Sequence, residues 1–137
     1  MPAKILKDFY VYEVNFAGLA SGASATQNIN IQADSDFQVQ KLTYLADVAA
    51  AGVTHSSRVV PLANVMILDT GSGRQLMDSA MPIPNIFGSG EIPFILSQPK
   101  IFAARSTVQV TVTNFDAAQT YNLKLSFIGV KMFRVGR

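Results

Sequence analysis

The side chains able to do chemistry are few and scattered. His55 is the single histidine, and Ser56 and Ser57 follow it. A Ser-His-Asp centre needs a nucleophile on a strained turn and an oxyanion hole, and neither signature surrounds these residues. His55 therefore reads as a surface-loop residue. With no cysteine and no second histidine, the usual zinc or iron ligand sets cannot be assembled. Asp34-x-Asp36 puts two carboxylates at a strand corner, where Asp bonds backbone amides. A weak calcium site with loop carbonyls is the competing use of that corner, and the turn reading is preferred. Gly71-Ser72-Gly73-Arg74 lacks the Lys-Ser/Thr ending and following helix of a phosphate loop, and Gly88-Ser89-Gly90 reads as another turn. No residue is assigned to catalysis, to a cofactor or to a metal.

The composition points the same way. The 137 residues fit one domain, which can bury roughly two-thirds of its unfolded surface. Charged residues make up 15%, against about 25% in ordinary soluble domains, and apolar residues 49%. A surface so poor in charge favours burial against partners, copies of the same chain first among them. The net charge is only +2, and Lys4, Lys7, Lys131, Arg134 and Arg137 lie near the two ends. That pattern argues against a nucleic-acid surface. No run approaches the ~18 apolar residues needed to span a bilayer as a helix. The opening segment faintly mimics a signal peptide, but Asp8, Glu13 and Asn15 interrupt it.

The elements that must carry these residues are strands. Val108, Val110 and Val112 alternate with Thr107, Gln109, Thr111 and Thr113; Tyr121, Leu123, Leu125 and Phe127 alternate with Asn122, Lys124 and Ser126. Period-two alternation predicts two half-buried antiparallel strands, joined as a hairpin through turn residues 114–119. Gly129 breaks the phase of the second, and a bulge there would keep Val130 and Met132 on the inner face. Phe37 and Val39 sit on one parity and Leu42 and Tyr44 on the other, which predicts a bulge or a change of sheet within 37–47. Residues 26–33, 59–69 and 74–78 are further strands, with 91–96 a short one inside a proline-rich loop over 81–99. Residues 48–57 form a long excursion with one helical turn at most. Residues 9–16 are dense in strand formers, and 17–25 are rich in Ala, Gly and Ser. The predicted organisation is an N-terminal arm and flexible tether over 1–25, then a β-sandwich over 26–137. With seven or eight strands and long crossing loops, an all-β jelly roll is the expected topology.

Three runs carry a resemblance. They are Pro99-Lys100-Ile101-Phe102-Ala103-Ala104-Arg105-Ser106-Thr107-Val108, then Val110-Thr111-Val112-Thr113-Asn114, then Leu125-Ser126-Phe127-Ile128-Gly129-Val130-Lys131-Met132-Phe133. Asp34-Ser35-Asp36-Phe37 and Asp69-Thr70-Gly71-Ser72-Gly73-Arg74 extend it more loosely. The carboxy-terminal third resembles small β-sandwich structural proteins of tailed bacteriophage particles. The resemblance implies a capsid-associated cement or decoration protein that clamps neighbouring shell subunits. Its partners would be the major capsid protein or other virion proteins. It would be made in the host cytoplasm, reside on the capsid surface, and need neither nucleic acid nor membrane.

On that reading the body self-associates as a trimer or dimer, and the arm reaches a neighbouring subunit. Phe9, Tyr10, Tyr12 and Phe16 of the arm, with Ile128, Val130, Met132 and Phe133, are the expected protein interface. Deleting residues 2–16 is then expected to leave the body folded. The alternative is a tail or baseplate module binding a host glycan or receptor through residues 81–99.

Overall fold

Val108, Val110, Val112, Leu123, Leu125 and Phe127 are all fully buried, so the alternation at the carboxy-terminal end is real. The computed structural model describes residues 4–48, 59–89 and 92–135. His55 and the 48–57 excursion beyond Val48 lie outside the described residues, as do Gly90 and Glu91. The strands are β1 (Lys4–Leu19), β2 (Ser24–Asn30), β3 (Asp36–Val48), β4 (Ala63–Asp69), β5 (Arg74–Gln75), β6 (Met81–Pro82), β7 (Phe94–Phe102), β8 (Thr107–Asn114) and β9 (Tyr121–Val135). One helical turn, α1 (Ile83–Ile86), precedes β7.

These strands form two antiparallel sheets, one in the order β1-β9-β3-β7 and the other β2-β8-β4-β5, with β6 also on β4. The pairs β1:β9, β2:β8, β3:β7 and β4:β5 nest like one long hairpin rolled over on itself, which is a jelly roll. The all-β sandwich expected from the sequence is therefore the fold. The core lies between the sheets, with Phe37, Phe87, Phe102, Phe127, Ile67 and Leu125 among its largest buried side chains.

Three expectations need correction. First, β8 and β9 do not form a hairpin, because they lie in opposite sheets. Their buried faces meet across the core rather than edge to edge, and the connection is an arch. Asn114 holds it: its fully buried side chain donates from Nδ2 to the carbonyls of Leu19 (3.0 Å) and Gln119 (2.8 Å), while Oδ1 accepts from Asp116 N–H (2.9 Å).

Second, the described residues of the 1–25 segment, from Lys4 on, are not an arm on a tether. Lys4–Leu19 pairs with β9 along its length, from Lys4 opposite Val135 to Leu19 opposite Tyr121. Val14, Phe16 and Leu19 are core residues. The Ala-Gly-Ser-rich stretch is the end of one strand and a tight turn into the next. Gly22 adopts φ 74° there, a conformation that L side chains rarely take, and its N–H donates to the Asn114 carbonyl at 2.9 Å.

Third, β9 has no bulge at Gly129. Its register with β1 is unbroken from Phe16 to Lys4, and the irregularity lies in β3, between Val39 and Lys41. The parity switch inside residues 37–47 is thus a bulge, as the sequence suggested. Gly129 is where the bulged strand comes too close for a side chain: a Cβ there would lie 1.9 Å from the Gln38 carbonyl oxygen. Ile128, Val130 and Met132 consequently face outward.

Smaller differences follow the edges. In place of a short strand at 91–96 there is the longer β7, Phe94–Phe102, which tolerates Pro99 because it is an edge strand. Residues 74–78 shorten to two paired residues, and 59–69 to Ala63–Asp69.

The arch also sets a pH dependence. The Tyr121 hydroxyl donates to Asp116 Oδ2 and accepts from Leu62 N–H at 3.4 Å. That hydroxyl, then the N–H groups of Ala118 and Gln119, hold the Asp116 carboxyl below its ordinary value of 3.8. Burial, reinforced by Asp116, pushes the Tyr121 phenol above 10.0. Asp116 thus contributes stability that is complete above about pH 3.8 and is lost as pH falls through its depressed folded value. Tyr121 contributes stability that is present below about pH 10 and is lost as pH rises through its raised value. Chemical denaturation across pH should therefore show a shallower acid limb in Tyr121→Phe than in the native chain.

Candidate assembly interface

The outer face of the β1-β9-β3-β7 sheet carries two cross-strand rows that are apolar on β1, β9 and β7 and polar on β3. In the first, Phe9 lies opposite Val130, Val130 opposite Gln38, and Gln38 opposite Ile101. In the second, Val11 lies opposite Ile128, Ile128 opposite Lys41, and Lys41 opposite Ile95. Phe9 is 74% exposed, Ile95 66% and Ile101 48%. Met132 continues the patch between Lys7 and Asp36. The interior rows explain the pattern: with Val14, Phe16, Leu125 and Phe127 pointing into the core, the alternate residues must point out. Solvent alone does not explain large apolar side chains at those positions, since contiguous exposed patches mark interaction surfaces. A groove of about 600 Å³ lies further along the same face, over Glu13, Thr43, Leu45, Lys124 and Ser126, whereas the apolar rows lie on the open sheet surface beside it and suit a protein partner better than a small molecule, whose sites are concave.

The structure brings together half of the residues expected at an interface. Phe9, Ile128, Val130 and Met132 share this face. Phe16 does not: it is 2% exposed and belongs to the core, so it is withdrawn from the interface set. Tyr10 and Tyr12 point to the inner side at the end of the sandwich. Their rings meet edge-on at 4.9 Å, and Tyr12 meets Phe37 at 4.8 Å. Gln32 donates from its backbone N–H to the Tyr12 hydroxyl (3.1 Å) and from Nε2 to the Tyr10 hydroxyl (3.0 Å). Phe133, half-buried, lies opposite Leu6 at the same end. Ile95, Ile101 and Val11 are the members that sequence reasoning missed. The signal for Ile95 and Ile101 was apolar residues recurring within and beside a proline-rich stretch, and that for Val11 was its shared parity with Phe9 in the 9–16 run.

Lys131 completes that end of the body. Its ammonium donates to Gln32 Oε1 at 2.5 Å, lies 3.4 Å from Asp34 Oδ2, and sits 4.0 Å from the Tyr10 ring centroid. A buried cation needs such partners. Asp34 is thus engaged by Lys131, and Asp36 Oδ1 accepts from Ala104 N–H at 2.9 Å. Both carboxylates of the corner have internal work, in keeping with a structural turn. Among the described residues, no group of three or more His, Cys, Asp or Glu side chains is placed to hold a metal ion. No described helix is long and apolar enough to cross a membrane.

A second feature is a groove of about 410 Å³ between β7 and the β5–β6 side of the other sheet. Leu42, Ile67, Leu76, Phe94 and Leu96 line it, with Arg74 and Lys100 among its polar residues. Lys100 is 3.6 Å from Asp69, whose carboxylate also accepts from Gly71 N–H and the Ser72 hydroxyl.

No family model matches the chain, and no curated protein matches it. Among solved structures, a chain titled Desmodium yellow mottle tymovirus aligns over 100% of this chain and 91% of its own, at a TM-score of 0.40 and 11% identity. A likeness at that distance carries no residue's role across.

Proposed function

We propose that this chain is a structural protein of a bacteriophage particle, of the capsid cement or decoration type. It works without catalysis, by binding neighbouring capsid subunits and by associating with copies of itself. The observation that carries this reading is the pair of apolar rows on the outer face of the β1-β9-β3-β7 sheet, in a chain with only 15% charged residues. Burying a large apolar side chain is worth about 1.5–3 kcal/mol. Phe9, Ile95 and Ile101 together therefore contribute roughly 4.5–9 kcal/mol before the cost of association. The resemblance of the carboxy-terminal third to tailed-phage sandwich proteins names the kind of partner.

Two measurements test it. Mass spectrometry and imaging of purified particles should place the protein on the shell. The double substitution Ile95→Lys and Ile101→Lys should weaken particle binding by at least about a hundredfold while leaving the thermal midpoint near that of the native chain, because both side chains are exposed. Particles without the protein would refute the role, and undiminished binding by the variant would refute the surface.

The alternative, a tail or baseplate module taking a host glycan or receptor, is favoured by the groove beside β7. Its lining draws on residues 81–99 but includes a single aromatic ring, Phe94, for a sugar to stack on. Localisation to the tail rather than the shell would select it.

A further inference from the structure

The two edges of the β1-β9-β3-β7 sheet are built differently. At one edge, β7 is nine residues long, carries Pro99, and falls out of register with β3 between Lys41 and Val39. The proline and the register break discourage further strand pairing. At the other edge, β1 is sixteen residues long and contains no proline, and its pairing with β9 is irregular only between Phe16 and Leu19. Among the described residues no strand pairs with the outer side of β1. Its backbone donors and acceptors on that side form a template for another strand.

We propose that β1 pairs antiparallel with β1 of a second copy, about a two-fold axis through Tyr10. The inference rests on the self-association named above and identifies where it happens. The register follows from the side chains. Phe9, Val11, Lys7 and Glu13 all lie on the outer face, opposite Val130, Ile128, Met132 and Ser126. If both apolar faces are to stay on one side of the joined sheet, outer-face residues must oppose outer-face residues, because a one-residue slip reverses every side chain.

Of the registers that satisfy this, the one centred on Tyr10 sets Lys7 opposite Glu13 of the second copy, and Glu13 opposite its Lys7. Phe9 then opposes Val11 of the second copy. Centring on Phe9 would set Lys7 against Val11 and Glu13 against Ile5. Centring on Val11 would set Glu13 against Phe9 and Lys7 against Asn15. Only the Tyr10 register pairs opposite charges at both flanks and apolar residues between them, which is how cross-strand pairs stabilise a sheet. The two four-stranded sheets then become one continuous sheet, and the apolar rows of both copies join across the axis.

Charge reversal tests this, since Lys7 and Glu13 are both exposed and their substitution leaves the core untouched. Sedimentation analysis of the native chain should show a dimer. Lys7→Glu and Glu13→Lys should each weaken it by roughly tenfold or more, because each reversal creates like-charge oppositions at both flanks. The combined variant Lys7→Glu/Glu13→Lys should recover the dimer. An equimolar mixture of the two single variants should form heterodimers, which no unrelated contact would produce. A native chain that stays monomeric, a trimer, or a dimer indifferent to both reversals overturns the pairing. The Ile95→Lys/Ile101→Lys variant should remain dimeric. Loss of particle binding in that variant and loss of dimer in the charge variants are therefore read separately, and either idea can fail alone.

Discussion

A chain lacking residues 2–16 is expected not to fold. The deletion removes Val14 and Phe16 from the core, and it takes Tyr12 from its contact with Phe37. It also strips β9 of its pairing from Leu123 to Val135. Each buried apolar side chain is worth about 1.5–3 kcal/mol, and the ladder is lost besides. The total is comparable to the 5–15 kcal/mol by which a domain of this kind is stable. Circular dichroism and proteolysis of the truncated chain should report an unfolded or aggregated product. A soluble truncated chain with a cooperative thermal transition would show that β1 is dispensable, and the sandwich order described above would be wrong.

Gly129→Val is expected to be nearly as damaging. A Cβ at this position falls 1.9 Å from the Gln38 carbonyl oxygen and 2.9 Å from the Val39 Cα. Both obstacles are backbone, held in place by β3's pairing with β9 on one side and β7 on the other. No side-chain rotation relieves the clash, so β3 must leave its register. Overpacking a core commonly costs 1–3 kcal/mol when side chains can adjust. A loss of at least about 3 kcal/mol is expected here, measured by urea denaturation. Gly129→Ala should lose nearly as much, since the Cβ alone makes the contact. A valine variant as stable as the native chain would mean that β3 and β9 are further apart than described.

Much of this fold was legible in the residues. The inward parities of β8 and β9 follow from Val108, Val110, Val112 and from Tyr121, Leu123, Leu125 and Phe127, and all seven are buried. The bulge in β3 announces itself because Phe37 and Val39 change parity with Leu42. What was not legible is which strand lies beside which. Alternation looks the same whether two strands share a ladder or face each other across a core, so β8 and β9 read as a hairpin. The Asn114 network decides the matter, and its acceptors include Leu19, far away in sequence.

Gly129 was misread for a related reason. A glycine in a strand marks either its own bulge or the close approach of a neighbour, and here the neighbour is Gln38. The assembly face was half legible. Phe9, Ile128, Val130 and Met132 were singled out, but the bulge placed at Gly129 turned the last two inward. Ile95 and Ile101 were hidden by the prolines around them, because Pro99 is compatible with a strand only at an edge and the edge is a property of the whole sheet.

The nested pairing has a consequence for how the molecule comes together. Bringing Asp69 to Arg74 closes a loop of a few residues, whereas bringing Lys4 to Val135 closes nearly the whole chain. The entropic cost of closure grows with the logarithm of loop length, and folds dominated by distant pairings assemble in milliseconds to seconds rather than microseconds. The outermost strand is the one with the least local help, so it docks late. Until it does, β9 presents an open ladder that the first strand of any neighbouring chain fits equally well, and at high concentration two chains can trade strands before either has closed.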